Sequence, residues 1–463
     1  MNQRYFSLDV FRGATVALMI LVNNPASWAN EQINIFAPLR HAEWHGCTPT
    51  DLVFPFFLFA VGNAMAFVMP RFYAAQNDTL FWKKVLKRTF LIFGIGFFVL
   101  ACAPYIRYTG TGTLAFKTFT WLNVDCKGLP TTYSGLRILG VLQRIALCYF
   151  FASVFVYYFK AKGALLLSLI LLSWYNVVCY FGAITADPYS VAGYAGRLLD
   201  VKVLGSLHLI KEDGLPFDPE GLLSTIPAIA SVIFGYLIGN YIQRKGKTYE
   251  MLSHLLVAGL LLILGGMVWE TFMPINKKLW TSSYVVYTTG LATVILAVLI
   301  HAIEFKQLNK AVFIKNSTRL EIGLCIITFV CMSLCMFQLH AANSFFYNLS
   351  ITILSTFIIC FFAITLLRNK LFQFFDAFGK NPLFIFVLSG FLPRILSLIR
   401  LPLPLVEGKC SSYLNPLTWY GNIISLPAFS NPKLGSLMYA CSLIIFYWLI
   451  AYIMDKKRIY VKV

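Results

Sequence analysis

The residues best suited to chemistry in this 463-residue chain lie in its first third. The stretch Arg40-His41-Ala42-Glu43-Trp44-His45-Gly46-Cys47-Thr48-Pro49-Thr50-Asp51 brings two imidazoles and a carboxylate close together in sequence. An imidazole exchanges a proton near neutral pH, which suits His41 to general-base work. Asp51 opens a strongly apolar run. A chain that turns back there can carry the carboxylate to His41 and fix the ring's tautomer. The same Thr-Pro-Thr-Asp stretch also reads as an ordinary helix start, with an acid near the positive end of the dipole. His45 competes with His41 for the role. A metal held by His41, His45 and Asp51 is not expected, because an extended loop sets up no ligand geometry.

Further polar groups interrupt apolar segments. Asp9 and Arg12 are three residues apart and share a helix face. They form a local ion pair, or Arg12 meets an anionic ligand arriving from the cytoplasm. Asn23 precedes Pro25 at the far end of the same segment. Its amide can donate to a developing oxyanion, or it simply ends the helix. Gln143 and Arg144 fall roughly 10 Å inside another apolar run, at 1.5 Å per residue. Arg144 is too deep to reach water and needs a partner: Asp51, another acid or a ligand phosphate. Phe217-Asp218-Pro219-Glu220-Gly221 is a well-formed helix start, and it places the Asp218 and Glu220 carboxylates where a cationic or hydroxylated acceptor would be bound. Asn276, Trp280 and Tyr284 border a further run, as interfacial anchors or as a surface on which a sugar stacks.

The elements that must position these groups are membrane spans. The chain is 59% hydrophobic and only 12% charged, against about 25% charged in soluble domains. Apolar runs near the roughly 20 residues needed to cross a bilayer recur from end to end. Twelve spans are expected, with ten or eleven as alternatives, at 8–29, 51–70, 89–106, 137–159, 164–185, 221–241, 251–273, 281–303, 320–339, 345–367, 382–398 and 434–455. The fold class is therefore an all-α polytopic transmembrane helix bundle. Most of the 38 Lys and Arg fall in loops that share one side if the N-terminus is cytoplasmic, as at Arg71 to Arg88, Arg244 to Lys247 and Lys456 to Lys462. Both termini are then cytoplasmic, and His41, Asn23 and Asp51 lie on the outer side. The net charge of +19 suits anionic headgroups and requires no nucleic-acid partner. The first run holds Asp9 and Arg12 and reads as a retained helix rather than a cleaved signal. Eleven cysteines show no CxxC or zinc spacing, and one disulfide among Cys102, Cys126 and Cys410 is left open.

Five ordered motifs carry a resemblance. They are Ser7-Leu8-Asp9-Val10-Phe11-Arg12-Gly13, the His41 to Pro55 segment, Gly140-Val141-Leu142-Gln143-Arg144, Phe217 to Gly221, and Pro274-Ile275-Asn276-Lys277-Lys278-Leu279-Trp280-Thr281-Ser282-Ser283. Together they resemble the transmembrane acetyltransferase family of lysosomal heparan-alpha-glucosaminide N-acetyltransferase and its bacterial relatives. The resemblance implies transfer of an acetyl group from cytoplasmic acetyl-CoA, as co-substrate and without a metal, to an amino sugar or related glycan on the far side. It places the active-site histidine at His41, with Asp51 and Asn23 beside it as the catalytic set. Arg12, Arg144 and Gln143 are expected to hold the CoA, and Asp218, Glu220, Asn276, Trp280 and Trp44 the acceptor. Residues 1–303 form the expected core, 304–371 an inserted helix pair and 372–463 the closing helices. The animal enzymes' luminal N-terminal domain and preceding helix are not expected here. The bilayer expected is a cell's inner membrane, and a homodimer is left open. The competing function class is a transporter of a sugar or peptidoglycan fragment, although the paired broken helices of an inverted-repeat transporter are not evident.

Overall fold

The computed structural model describes residues 5–24, 35–108, 114–115, 120–124, 130–305, 370–397, 399, 401–402 and 413–461. The described chain is predominantly helical. Its long helices are α1 (Phe6–Asn23), α2 (Val53–Ala75), α3 (Asp78–Tyr108), α4 (Val141–Phe181), the shorter α5 (Ala195–Leu204), α6 (Leu222–Lys245), α7 (Tyr249–Glu270), α8 (Ser282–Ile300), α9 (Lys370–Lys380), α10 (Pro382–Leu396) and α11 (Pro432–Lys456). Among the described residues, seven helical segments are long and apolar enough to cross a membrane: Phe6–Asn23, Pro49–Ala75, Val141–Phe181, Leu222–Lys245, Tyr249–Glu270, Ser282–Phe305 and Pro432–Lys456. The molecule is a multi-pass membrane protein.

Several departures from the sequence expectation have physical causes. Val141–Phe181 is continuous by hydrogen bonding, yet Lys160 sits at φ 57, ψ −170 and breaks it. The break falls between the expected spans 137–159 and 164–185. Lys160 there donates to the Tyr157 carbonyl at 2.9 Å, and its ammonium lies 3.8 Å from the centre of the Tyr73 ring. The expected span 382–398 is the second arm of a bent helix pair, Phe372–Lys380 and Pro382–Leu396, which meet at 81°. Asn381-Pro382 makes the bend, since proline starts a helix readily but cannot continue one. The loops are not purely irregular. They carry small antiparallel sheets, such as the hairpin of Ile210–Glu212 with Leu215–Phe217, so "all-α" describes the spans and not every connection. The expected spans 320–339 and 345–367, and nearly all of the segment 304–371, lie outside the described residues, as do the side chains of Cys102, Cys126 and Cys410.

Burial divides the helices into two sets. The apolar stretches of α1, α2, α6 and α8 are 67–78% buried within the protein, whereas those of α4, α7 and α11 are only 28–33% buried. The first set forms the centre. The second turns most of its apolar surface outward, as helices facing lipid do. The candidate residues sit on the central set and on the loops that cap it.

Candidate functional site

Asp51 lies in a short 3-10 turn, Pro49–Leu52, that leads into α2. Thr48 caps that turn. The Asp51 main-chain N–H donates to the Thr48 carbonyl at 2.9 Å, and the Thr48 N–H donates back to Asp51 Oδ2 at 3.0 Å. Thus Asp51 is the helix-start acid that the bland reading anticipated. It is also more than that. Asp51 is 1% exposed, and a buried carboxylate must be met by donors. The Ala42 N–H supplies a second donor to Oδ2 at 3.0 Å. The other oxygen, Oδ1, accepts from His41 Nδ1 at 2.6 Å. The His41 side chain is 51% exposed, so its second ring nitrogen is free to work on a substrate. When Nδ1 donates to this carboxylate, the lone pair is left on Nε2.

His45 takes a different place. Asn276 Nδ2 lies 3.4 Å from its Nδ1, and burial lowers the pKa of this imidazole although Asp187 pulls it the other way. Between the two histidines the structure gives the carboxylate to His41.

The floor beneath Asp51 is aromatic. Tyr284 donates its hydroxyl to the Asp51 carbonyl at 2.5 Å. Trp280 packs edge-on to Phe54 and Tyr284, with centroids 4.8 and 5.3 Å away. The Arg144 guanidinium covers the Trp280 ring at 5.1 Å. Trp280 is 1% exposed and so offers no face on which a sugar could stack. Arg144, equally buried, donates to the Ser224 hydroxyl and the Gly221 carbonyl. Its Nε and Nη1, like Gln143 Nε2, lack a hydrogen-bond partner among the described residues.

The remaining acceptor candidates are also engaged internally. Arg137 grips Asp218 through two bonds of 2.9 and 2.6 Å and also pairs with Glu220. Asn276 is fully buried and accepts from the Leu279 N–H at 2.9 Å. Trp44 is half-buried, donating to the Tyr189 carbonyl at 2.7 Å, with Lys278 over its ring. Asn23 is exposed at the C-terminal end of α1, which packs against the Asp51 turn, and makes no hydrogen bond to His41 or Asp51.

A cavity of about 370 Å³ occupies the opposite end of α1 and α2. Its walls include Tyr5, Asp9, Arg12, Asn63 and Arg71, and Arg12 is paired with Asp9. Along α2 it runs from Ala60 to Arg71, so it begins roughly 13 Å from Asp51 at 1.5 Å per residue. The structure does not bring Arg12 and Arg144 together. Arg12 lines the cavity, and Arg144 lies beneath the His41 end.

Two residues of the site escape a sequence reading. Lys277 lies 3.0 Å from His41 Nδ1 and 3.3 Å from Asp51 Oδ1. Its presence in a recurring motif was the signal, but nothing in that motif says which loop it meets. Asp200 is the other. It caps α6 by accepting from the Leu222 N–H at 2.8 Å, beside the Asp218 cluster. Burial, with Asp218 nearby, pushes this carboxyl up to about 7, against the pull of the Leu222 N–H and Arg144. A folded-state value above the ordinary one means that the native protein keeps a proton the unfolded chain has released. The stabilisation is therefore complete below about pH 4 and is lost as pH rises toward about 7. Asp200→Asn is expected to raise the melting temperature in detergent at pH 8 while changing it little at pH 5. Equal shifts at both values would contradict the assignment.

Sequence comparison joins this geometry to known proteins. The family model described as "Heparan-alpha-glucosaminide N-acetyltransferase, catalytic" matches residues 4–269. Heparan-alpha-glucosaminide N-acetyltransferase of Mus musculus is 27% identical over 354 residues, which is 65% of this chain and 49% of the relative. The Homo sapiens protein of that name is 27% identical over 361 residues, 66% of this chain and 50% of the relative. The chain thus spans about half the length of the curated relatives it matches. The matched region contains His41, Asp51, Arg12, Arg144 and the Asp218 cluster, and by it the chain belongs to the heparan-alpha-glucosaminide N-acetyltransferase catalytic family.

Proposed function

We propose that this protein transfers an acetyl group across a membrane, from cytoplasmic acetyl-CoA to the amine of an amino sugar or related glycan on the outer side. One observation carries the reading. The Asp51-oriented His41 and an arginine-lined cavity stand at opposite ends of the same two buried helices, α1 and α2. Arg12 and Arg71 suit the CoA phosphates, since guanidinium groups bind phosphate in a planar, two-pronged way. Asp9 holds Arg12 until such an anion arrives. The pantetheine arm is the part of CoA with the shape to run between the helices and carry the thioester toward His41.

His41 Nε2 then takes the proton of the acceptor amine. The amine attacks the thioester carbon, the new C–N bond forms, the C–S bond breaks, and the proton held by His41 passes to the leaving sulfur, so that CoA departs as the thiol. Asn23, at the α1 terminus nearest the Asp51 turn, is the proposed donor to the oxyanion. The route through an acetylated His41 uses the same groups. The proposed location is a cell's inner membrane, with both termini cytoplasmic and about twelve spans.

Mass spectrometry of products from the purified protein, acetyl-CoA and a panel of amino sugars tests the reading. An acetylated sugar with release of CoA is expected. Uptake of the sugar into vesicles without acetyl-CoA, and no CoA release, would favour the transporter. The two cavity arginines give a separate test. Arg12→Gln and Arg71→Gln are each expected to raise KM for acetyl-CoA about tenfold with kcat nearly unchanged, as the loss of a contact made equally in ground and transition states does. A fall in kcat alone would place these residues elsewhere in the mechanism.

A further inference from the structure

Lys277 is built into its position. The turn Lys277 to Trp280 is closed by the Trp280 N–H on the Lys277 carbonyl at 3.1 Å, and the Thr281 N–H bonds to the Asn276 carbonyl at 3.1 Å. Trp280, at φ 55, finishes the turn in the left-handed region and is locked beneath Arg144. The loop is fastened to the His41 loop by the Gly46 N–H on the Ile275 carbonyl at 2.7 Å. A lysine held this way differs from a mobile surface lysine. Its neighbour Lys278 is committed elsewhere, to Glu212 at 2.5 Å.

The contacts of Lys277 constrain the protonation pattern. The ammonium has only donors, and His41 Nδ1, facing Asp51, is a donor too. Lys277 Nζ lies 3.0 Å from His41 Nδ1 and 3.3 Å from Asp51 Oδ1, so with Nδ1 donating to the carboxylate the ammonium and the ring N–H share Oδ1. Oδ2 is meanwhile filled by the Ala42 and Thr48 N–H groups. The Asp51 and Lys277 charges therefore offset one another beside the ring.

We propose that Lys277 is a positioning residue of the transfer reaction, fixing the Asp51 carboxylate so that it holds the His41 ring by Nδ1 and presents Nε2 to the acceptor. The inference rests on His41 being the base. Arg40, Glu43 and His45 are the other charged and titratable groups of the histidine's own loop, and on the facing loop Lys278 donates to the Glu43 carbonyl at 3.2 Å and to Glu212 at 2.5 Å. Only Lys277 among the described cations lies within 4 Å of Asp51.

The test compares wild type, Lys277→Met, Lys277→Arg and His41→Ala for acetyl-CoA-dependent CoA release between pH 6 and 9. Lys277→Met is expected to lower kcat at pH 7 by about tenfold, a fraction of what a general base contributes. KM for acetyl-CoA should stay as in wild type. Lys277→Arg restores the charge and most of the rate. A Lys277→Met protein with wild-type kcat and pH profile, alongside an inactive His41→Ala, overturns the role of Lys277 alone. A loss of rate that arginine does not rescue, or one accompanied by a raised KM for acetyl-CoA, also overturns it, since that is the mark of a structural defect. Activity in His41→Ala removes the base itself.

Discussion

His41→Ala is expected to lower kcat for acetyl transfer by about 10²- to 10⁴-fold, the range that general acid–base groups contribute. KM for acetyl-CoA should be nearly unchanged, because the cavity proposed for CoA begins roughly 13 Å away along α2. The substitution suits the question for a structural reason. The His41 ring is half-exposed and its only carboxylate contact is on one edge, so its removal opens no core cavity. Asp51 is a poorer first choice. Its carboxylate is buried and receives the Ala42 and Thr48 N–H groups as well as His41, so Asp51→Asn strands donors and unsettles the start of α2 as well as the base. The measurement is CoA release by purified His41→Ala protein whose acetyl-CoA binding has been verified. Wild-type turnover in such a protein would sink the His41 mechanism and leave the cavity assignment standing.

The sequence was most legible where a single segment decides the outcome. Hydrophobic run length agrees with the seven span-length helical segments among the described residues, and the lysines near 160 marked the place where Val141–Phe181 breaks. The approach of Asp51 to His41 was also readable, since ten residues and one helix start connect them. Contacts between distant loops were not. Lys277 reaches His41 across 236 positions, through a backbone bond between Gly46 and Ile275 that no side-chain pattern announces. Trp280 shows the opposite failure. An aromatic residue at a span boundary is usually interfacial, yet here Arg144 caps it and Phe54 flanks it, so it is buried. Arg144 did need a partner, as its depth required, and the protein groups that meet it are a hydroxyl, a carbonyl and an indole face. Asp218 and Glu220 likewise satisfy Arg137. Local propensity places a polar group near a membrane boundary; which neighbour neutralises it depends on how the helices pack.

The packing of α1 against α9 yields the largest expected effect on stability. A Cβ on Gly13 would lie 1.7 Å from the Phe375 carbonyl oxygen, and one on Gly379 would lie 1.9 Å from the Asp9 carbonyl oxygen. Both obstacles are backbone, so no side chain can swing aside. The two helices touch because each has a glycine where the other has a carbonyl, the small-residue packing that membrane helices use in place of a hydrophobic drive. Gly13→Val must separate them, at a cost of about 3 kcal/mol or more, the upper part of the range for overpacking. The damage is not confined to stability. Gly13 follows Arg12 directly, and the Asp9 that holds Arg12 is the residue whose carbonyl meets Gly379, so the cavity wall moves with the helix. Melting in detergent should show a fall of several degrees, with a raised KM for acetyl-CoA in whatever folds. Gly94 supplies the control, since a Cβ there meets nothing within 4 Å. Gly94→Ala should leave melting unchanged or raise it slightly, because alanine favours the helix by up to about 1 kcal/mol. Comparable losses at Gly13 and Gly94 would mean that glycine itself, and not the close crossing of α1 and α9, is what the fold requires.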